Sequence, residues 1–253
     1  MSTSAASAGW LVRYGNFLFR WRNTIFPVVQ LLLFFGLQPK YPAGSERLDN
    51  VVDAIGILVA LLGQVLRIGV IGFAYIIRGG KNQRVYAEDL VTSGFFAHSR
   101  NPLYVGNMLV LLGLFLLHNN PWVYIIGVPF FLLAYIAIVA AEEAYLRAKF
   151  GAAYDAYMRD VPRWIPRFRA LRESVSGMRF NWRRVLLKEY GSTFAWTAAA
   201  VAIMASDTLW YFEYGERATY LNALVVVFVV LVVGYGIARY LKLSRRLREI
   251  PAH

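Results

Sequence analysis

SRNPLYVGN, Ser99–Asn107, stands where a polar stretch gives way to the apolar run MLVLLGLFLL (108–117), and its reading decides the fold. It sets an arginine, two asparagines and a proline at the mouth of a membrane helix. Pro102 suits the first turn of that helix, where its missing N–H costs nothing. The apolar run Leu103–Leu117 is only about 22 Å long at 1.5 Å per residue, so it crosses a bilayer only if its start lies below the headgroups. The polar loop then forms a recess in the membrane surface, with backbone N–H groups at the helix start able to hold an anion. The plainer alternative is a helix cap whose arginine reaches out to lipid phosphates.

Outward from this stretch, HNNP (118–121) makes a tight hairpin into a second apolar run, Trp122–Ala141, which ends on the pair Glu142-Glu143. Ala54–Ile77 precedes the motif and carries Gln64 and Arg67 inside a span. Ile25–Leu37, Phe194–Phe212 and Tyr220–Ala238 complete about six spans. The first and fifth are the shortest in apolar content. The whole chain agrees: 253 residues, 58% hydrophobic, 17% charged and mean hydropathy +0.45 place it among polytopic membrane proteins, an all-α bundle with cytoplasmic amphipathic helices.

The net charge of +12 belongs to loops beside the spans, so it is read as positive-inside bias rather than as a nucleic-acid footprint. Arg13, Arg20, Arg22, Arg78, Lys81, Arg84, Arg100, the segment Arg147–Lys188 and Arg239–Arg248 fall on one side. Lys40, Arg47 and Arg217 fall on the other, diluted by acids. Both termini are therefore expected in the cytoplasm, in a membrane of the bacterial inner-membrane type. There is no cysteine, which excludes disulfides and thiolate chemistry, and three scattered histidines make a poor metal site. The opening MSTSAASAGW lacks the basic and apolar regions of a cleavable signal peptide.

Four regions follow: residues 1–50, an interfacial helix and first span; 51–170, a core with a cytoplasmic pocket; 171–193, a basic interfacial helix; 194–253, two further spans and a basic tail. Arg179, Arg183, Arg184 and Lys188 of the third are expected to meet anionic lipid headgroups, each contributing about 1 kcal/mol. Oligomeric state is not legible.

The carboxylates 142 and 143 sit at the wrong end of a helix macrodipole, so something else must hold them. Their side chains point about 100° apart and cannot share one task. Glu143 has Arg147 at i+4, a sufficient surface pair. Glu142 has Leu146 there and is the one aimed at a ligand. Tyr154 and Tyr157, three apart, either cover an aromatic or cationic ligand or anchor at the interface. Arg67, costly inside a span, points to a partner or a substrate headgroup, with Gln64 one turn away. His98 is either a loop residue or a polar contact on the acceptor side.

LVTSGFFAHSRNPLYVG (90–106), then a hairpin, then EEAYLRAKFGAAYDAYMRDVPRWIP (142–166), resembles the membrane-integral methyltransferases, which include the isoprenylcysteine carboxyl methyltransferases and phospholipid N-methyltransferases. The resemblance implies S-adenosylmethionine bound at the cytoplasmic lip and a hydrophobic, membrane-resident methyl acceptor: a carboxylate, an amine or a thiol. It assigns cofactor contacts to Glu88, Asp89, Leu90, Val91, Phe96, Asn101, Pro102, Leu103, Tyr104 and Glu142, with Arg100, Asn101 and Glu142 at the reacting centre; Tyr154 and Tyr157 join them as candidates. Gln64, Arg67 and His98 are the acceptor-side candidates. Where the family usually has Arg-His-Pro this chain has Arg100-Asn101-Pro102, and asparagine does not titrate. Four residues before Glu142, where the prenylcysteine branch has an arginine, stands Ile138. Two other readings remain: an NADPH-dependent membrane reductase of the sterol-reductase type, and a non-catalytic lipid-binding scaffold.

Overall fold

The computed structural model describes residues 9–73, 87, 89–167 and 170–244. Arg78, Lys81, Arg84, Glu88 and the tail from Arg245 lie outside them. The described chain is a helical bundle: α1 Trp10–Phe35, α2 Glu46–Phe73, α3 Pro102–His118, α4 Val128–Phe150, α5 Ala152–Asp160, α6 Leu171–Ser176, α7 Trp182–Tyr211 and α8 Ala218–Leu243. By length and composition α2, Val123–Phe150 and Tyr214–Leu243 are each long and apolar enough to cross a membrane, and Pro102–His118 is a shorter apolar helix.

Two expectations change here. The amphipathic segment after Trp10 and the short apolar run Ile25–Leu37 form one helix, α1, with Pro27 inside it. The basic segment near Asn181 and the fifth apolar run likewise form one helix, α7. Each short run is lengthened by its amphipathic flank: 26 residues give α1 about 39 Å at 1.5 Å per residue. Of the basic residues expected at headgroups, Arg184 is buried and donates to the Ile71 carbonyl.

The ends of the long helices alternate. At one end, Lys242 of α8 donates to the Leu187 carbonyl at the start of α7. At the other, Tyr41 stacks on Tyr211 at 3.9 Å and Arg217 pairs with Glu46. The HNNP hairpin forms as expected: Asn119 caps α3 in the left-handed conformation, and Asn120 accepts from the Trp122 N–H at 2.8 Å.

Where burial in lipid gives little drive, helices associate by close backbone approach. α2 and α3 do so at glycines seven residues apart. A Cβ on Gly63 would lie 2.6 Å from the Gly106 carbonyl oxygen, and one on Gly56 2.8 Å from that of Gly113. α1 packs on α4 through Leu18, Phe19, Ala134, Ala137 and Ile138. A larger cluster joins Phe34 of α1, Leu114 and Phe115 of α3, Phe131 of α4 and Ile203 of α7. α8 leans on α7 and exposes most of its valines.

Candidate functional site

A strap, residues 161–167, ties down the motif loop. It follows α5, which starts where α4 breaks at Gly151, whose φ of +53° favours glycine, and ends at Asp160 before Pro162. The Arg100 N–H donates to the Pro162 carbonyl at 2.9 Å, the Asn101 side-chain amide to that of Arg163 at 3.1 Å, and the Ser99 hydroxyl to that of Trp164 at 3.0 Å. Glu143 locks the assembly: it accepts from Arg163 Nε and Nη2 and pairs with Arg100 at 3.3 Å. This corrects the expected Glu143–Arg147 pair, since Arg147 instead meets Asp155 at 2.7 Å.

Against the strapped loop opens a cavity of about 670 Å³, ample for a drug-sized ligand. Phe96, Arg100, Asn101, Pro102, Leu103, Tyr104, Glu142 and Arg67 all line it. Glu142 is buried and accepts from the Tyr104 hydroxyl at 2.7 Å, and that hydroxyl accepts from Arg22 at 3.1 Å. Three helices thus converge on one carboxylate.

Among the described residues, the other cofactor and acceptor candidates do not line the cavity. Tyr154 and Tyr157 are buried under the loop with Ala87 and Leu146, and the Tyr157 hydroxyl donates to the Phe96 carbonyl at 2.7 Å. The face of α5 that carries them turns to the core. His98 is taken up inside the loop by the Arg167 carbonyl and the Ser174 hydroxyl. Leu90 and Val91 pack in apolar clusters, and Asp89 is exposed. Gln64 lies just behind the wall.

On the α2–α7 side, Arg67 makes a two-pronged bond with Glu189, 2.9 and 2.7 Å, and a further bond to the Asn107 side chain. Gln64 donates to Glu189 at 3.2 Å and accepts from the Trp196 indole at 2.8 Å. Sequence reasoning missed Glu189, although it is the only acid in the basic run RRVLLKEYG (183–191). Lys188, Trp196, Asn107 and Arg22 of the lining were missed too. Removing one partner of a buried ion pair typically costs about 3–5 kcal/mol, whereas replacing both with apolar groups is often neutral. Glu189→Ala is therefore expected to lower the melting temperature sharply in detergent, with Arg67→Met/Glu189→Met recovering most of the loss. Equal melting of all three proteins would show that the pair holds nothing.

The chemistry available is a buried carboxylate for an ammonium group and the N-terminal end of α3 for an anion. The rings of Phe96, Tyr104 and Tyr135 add a surface for a cation. Among the described residues, no three His, Asp or Glu side chains are gathered to hold a metal ion.

The family model for phospholipid methyltransferases matches residues 52–153. The chain is 32% identical over 159 residues to the cobalt-zinc-cadmium resistance protein CzcN of Cupriavidus metallidurans, covering 60% of this chain and 67% of that one. It is 33% identical over 122 residues to the protein-S-isoprenylcysteine O-methyltransferase of Schizosaccharomyces pombe, covering 45% of this chain and 48% of that enzyme. It is 29% identical over 158 residues to the nickel-cobalt-cadmium resistance protein NccN of Alcaligenes xylosoxydans xylosoxydans, covering 62% and 70%. No solved structure matches.

Proposed function

We propose that this chain, which belongs to the membrane-integral methyltransferase superfamily of the phospholipid and isoprenylcysteine methyltransferases, transfers a methyl group from S-adenosylmethionine to a hydrophobic, membrane-resident acceptor. The observation that carries this reading is the polar end of the cavity. Glu142, Tyr104 and Arg22 from three helices meet there beside the strapped Arg100 and Asn101, above a cavity whose remaining wall is largely apolar.

The residues present fit the cofactor. Glu142 would take its ammonium, the start of α3 with Arg100 its carboxylate, and Phe96 with the two tyrosines its adenine or sulfonium. When bound, that group supplies an electrophilic methyl. The chain's own task is to orient the acceptor within about 3–3.5 Å in line with that methyl and to keep water away. Asn101 and Arg100, held by the strap and by Glu143, fix the lip; they move no proton. A carboxylate acceptor needs no base, whereas an amine must arrive deprotonated. On this reading six helices cross the bilayer with both chain ends on the cytoplasmic side, and the cavity's polar lip faces the cytoplasm.

The test is calorimetry on the detergent-purified protein. S-adenosylmethionine is expected to bind in the micromolar range, about −8 kcal/mol, and NADPH not at all. Labelled methyl is then expected to pass into a membrane lipid extract. NADPH binding without S-adenosylmethionine binding would replace this reading with a reductase. Binding of neither would leave the cavity to a lipid alone.

A further inference from the structure

The cavity's polar lip is made mostly by α3 and α4, inside the stretch the family match covers, but its flank is made by α1 and α7, which that match does not reach. These two helices lean on different neighbours. α1 packs mainly on α4, and α7 on α2, α3 and α8; the two meet each other only in a small contact, in the cluster that joins Phe34 and Ile203. Between them, Asn23 and Pro27 of α1 and Lys188 and Ala195 of α7 line the cavity and are also exposed. Residues that do both stand at a mouth.

Polarity falls away from the rim, although Gln30 of α1 also lines the deeper part. Lys188 and Asn23 mark its upper rim, level with the Arg22–Tyr104–Glu142 chain. Pro27 and Ala195 lie farther along their helices, about 6 and 10 Å at 1.5 Å per residue, within apolar sequence. Beneath them the cavity continues past Ala199 to Leu114 of α3, which lies about 18 Å along that helix from Pro102. Ala195 and Ala199 are four apart on one face of α7, and their two methyl groups leave the depth of the slot open where a larger side chain would close it.

We infer that Ala195 and Ala199 are specificity-determining residues: they line the slot that admits the single hydrocarbon tail of the acceptor sideways from the bilayer, between α1 and α7. The tail lies against these alanines and the polar end stays at the level of Lys188 and Arg22, beside the reacting centre. This rests on the methyltransferase reading and adds to it the path and the residues that measure the tail. An acyl and an isoprenoid tail share the chemistry the slot recognises, and the test separates them.

The chain has no cysteine, so Ala199→Cys gives a single attachment site for bimane in phosphatidylcholine nanodiscs. Lipid bearing a nitroxide on its acyl chain is expected to quench that label as it does one on the exposed Val226→Cys of α8, and aqueous iodide is not. Palmitic acid or farnesol, whichever tail the slot fits, is expected to protect the label. Ala199→Phe should keep its affinity for S-adenosylmethionine, which also reports folding, yet lose about tenfold or more of the methyl transfer into lipid extract, because overpacking closes the slot. Quenching by iodide alone, quenching no greater than at the buried Ala200→Cys, or full transfer by a folded Ala199→Phe would overturn the inference. If the wild type binds no S-adenosylmethionine, the methyltransferase reading falls by itself, and the quenching still decides whether lipid enters between α1 and α7.

Discussion

Glu142→Gln is expected to weaken S-adenosylmethionine binding by about 10- to 150-fold, the equivalent of ~1.5–3 kcal/mol for a lost hydrogen bond to a charged group. The melting temperature should change little, because glutamine keeps the side chain's length and still accepts from the Tyr104 hydroxyl now 2.7 Å away. The neighbouring carboxylate gives the opposite pattern. Glu143 does not line the cavity; it holds Arg100 and Arg163 and so the strap over the motif loop. Glu143→Gln should lower the melting temperature by several degrees, with less loss of cofactor affinity than Glu142→Gln. Calorimetry and a thermal melt on the two variants separate ligand contact from scaffold. Equal loss of binding in both, with unchanged melting, would remove the division of labour argued for the pair.

A large effect on folding is expected at Gly63, in the seam between α2 and α3. Any side chain there meets backbone: its Cβ would stand 2.6 Å from the Gly106 carbonyl oxygen and 2.9 Å from the Leu109 Cβ. Neither neighbour is the far end of a flexible chain, so α2 and α3 must part. Gly63→Leu is expected to abolish the folded, monodisperse protein in detergent. Gly63→Ala should lower its stability by about 1–3 kcal/mol, the usual cost of overpacking. Gly191→Ala is the control, since nothing lies within 4 Å of a Cβ there. Size-exclusion profiles and tryptophan-monitored melting read all three. If Gly63→Leu remained folded, the α2–α3 seam would not be the close contact described.

What could be read from the sequence was local. The break at Gly151, the proline start of α3 and the hairpin at Asn119-Asn120 each follow from residues within four or five positions. Membership in a membrane-integral methyltransferase family followed from two motifs in order. What stayed hidden depends on partners far along the chain. Glu143 was matched with the nearest arginine, but a strap twenty residues on supplies Arg163 and turns Arg147 free to meet Asp155. Tyr154 and Tyr157 were placed on one face of a helix correctly, but spacing alone does not say which face meets the cavity. Amphipathic flanks give no sign of whether a helix bends at the membrane surface or runs on, so α1 and α7 were each divided in two. Because α7 was divided, Lys188, Glu189 and Trp196 were read apart from the cavity they line.

The bond between Arg67 and Glu189 also sets an order of events during synthesis. The two residues are 122 positions apart, so at about 5–20 residues per second the ribosome delivers the acid roughly 6–25 seconds after the base. Until then Arg67 has no acid partner and, once α3 is made, only the Asn107 side chain. A guanidinium at the centre of a span would cost about 2.5–3.5 kcal/mol on the insertion scale, and Arg67, six residues from the end of α2, costs less. Arrival of α7 ends that wait and closes the cavity wall in the same step. Maturation in the bilayer and completion of the pocket are thereby one event, governed by a helix that is among the last to leave the ribosome.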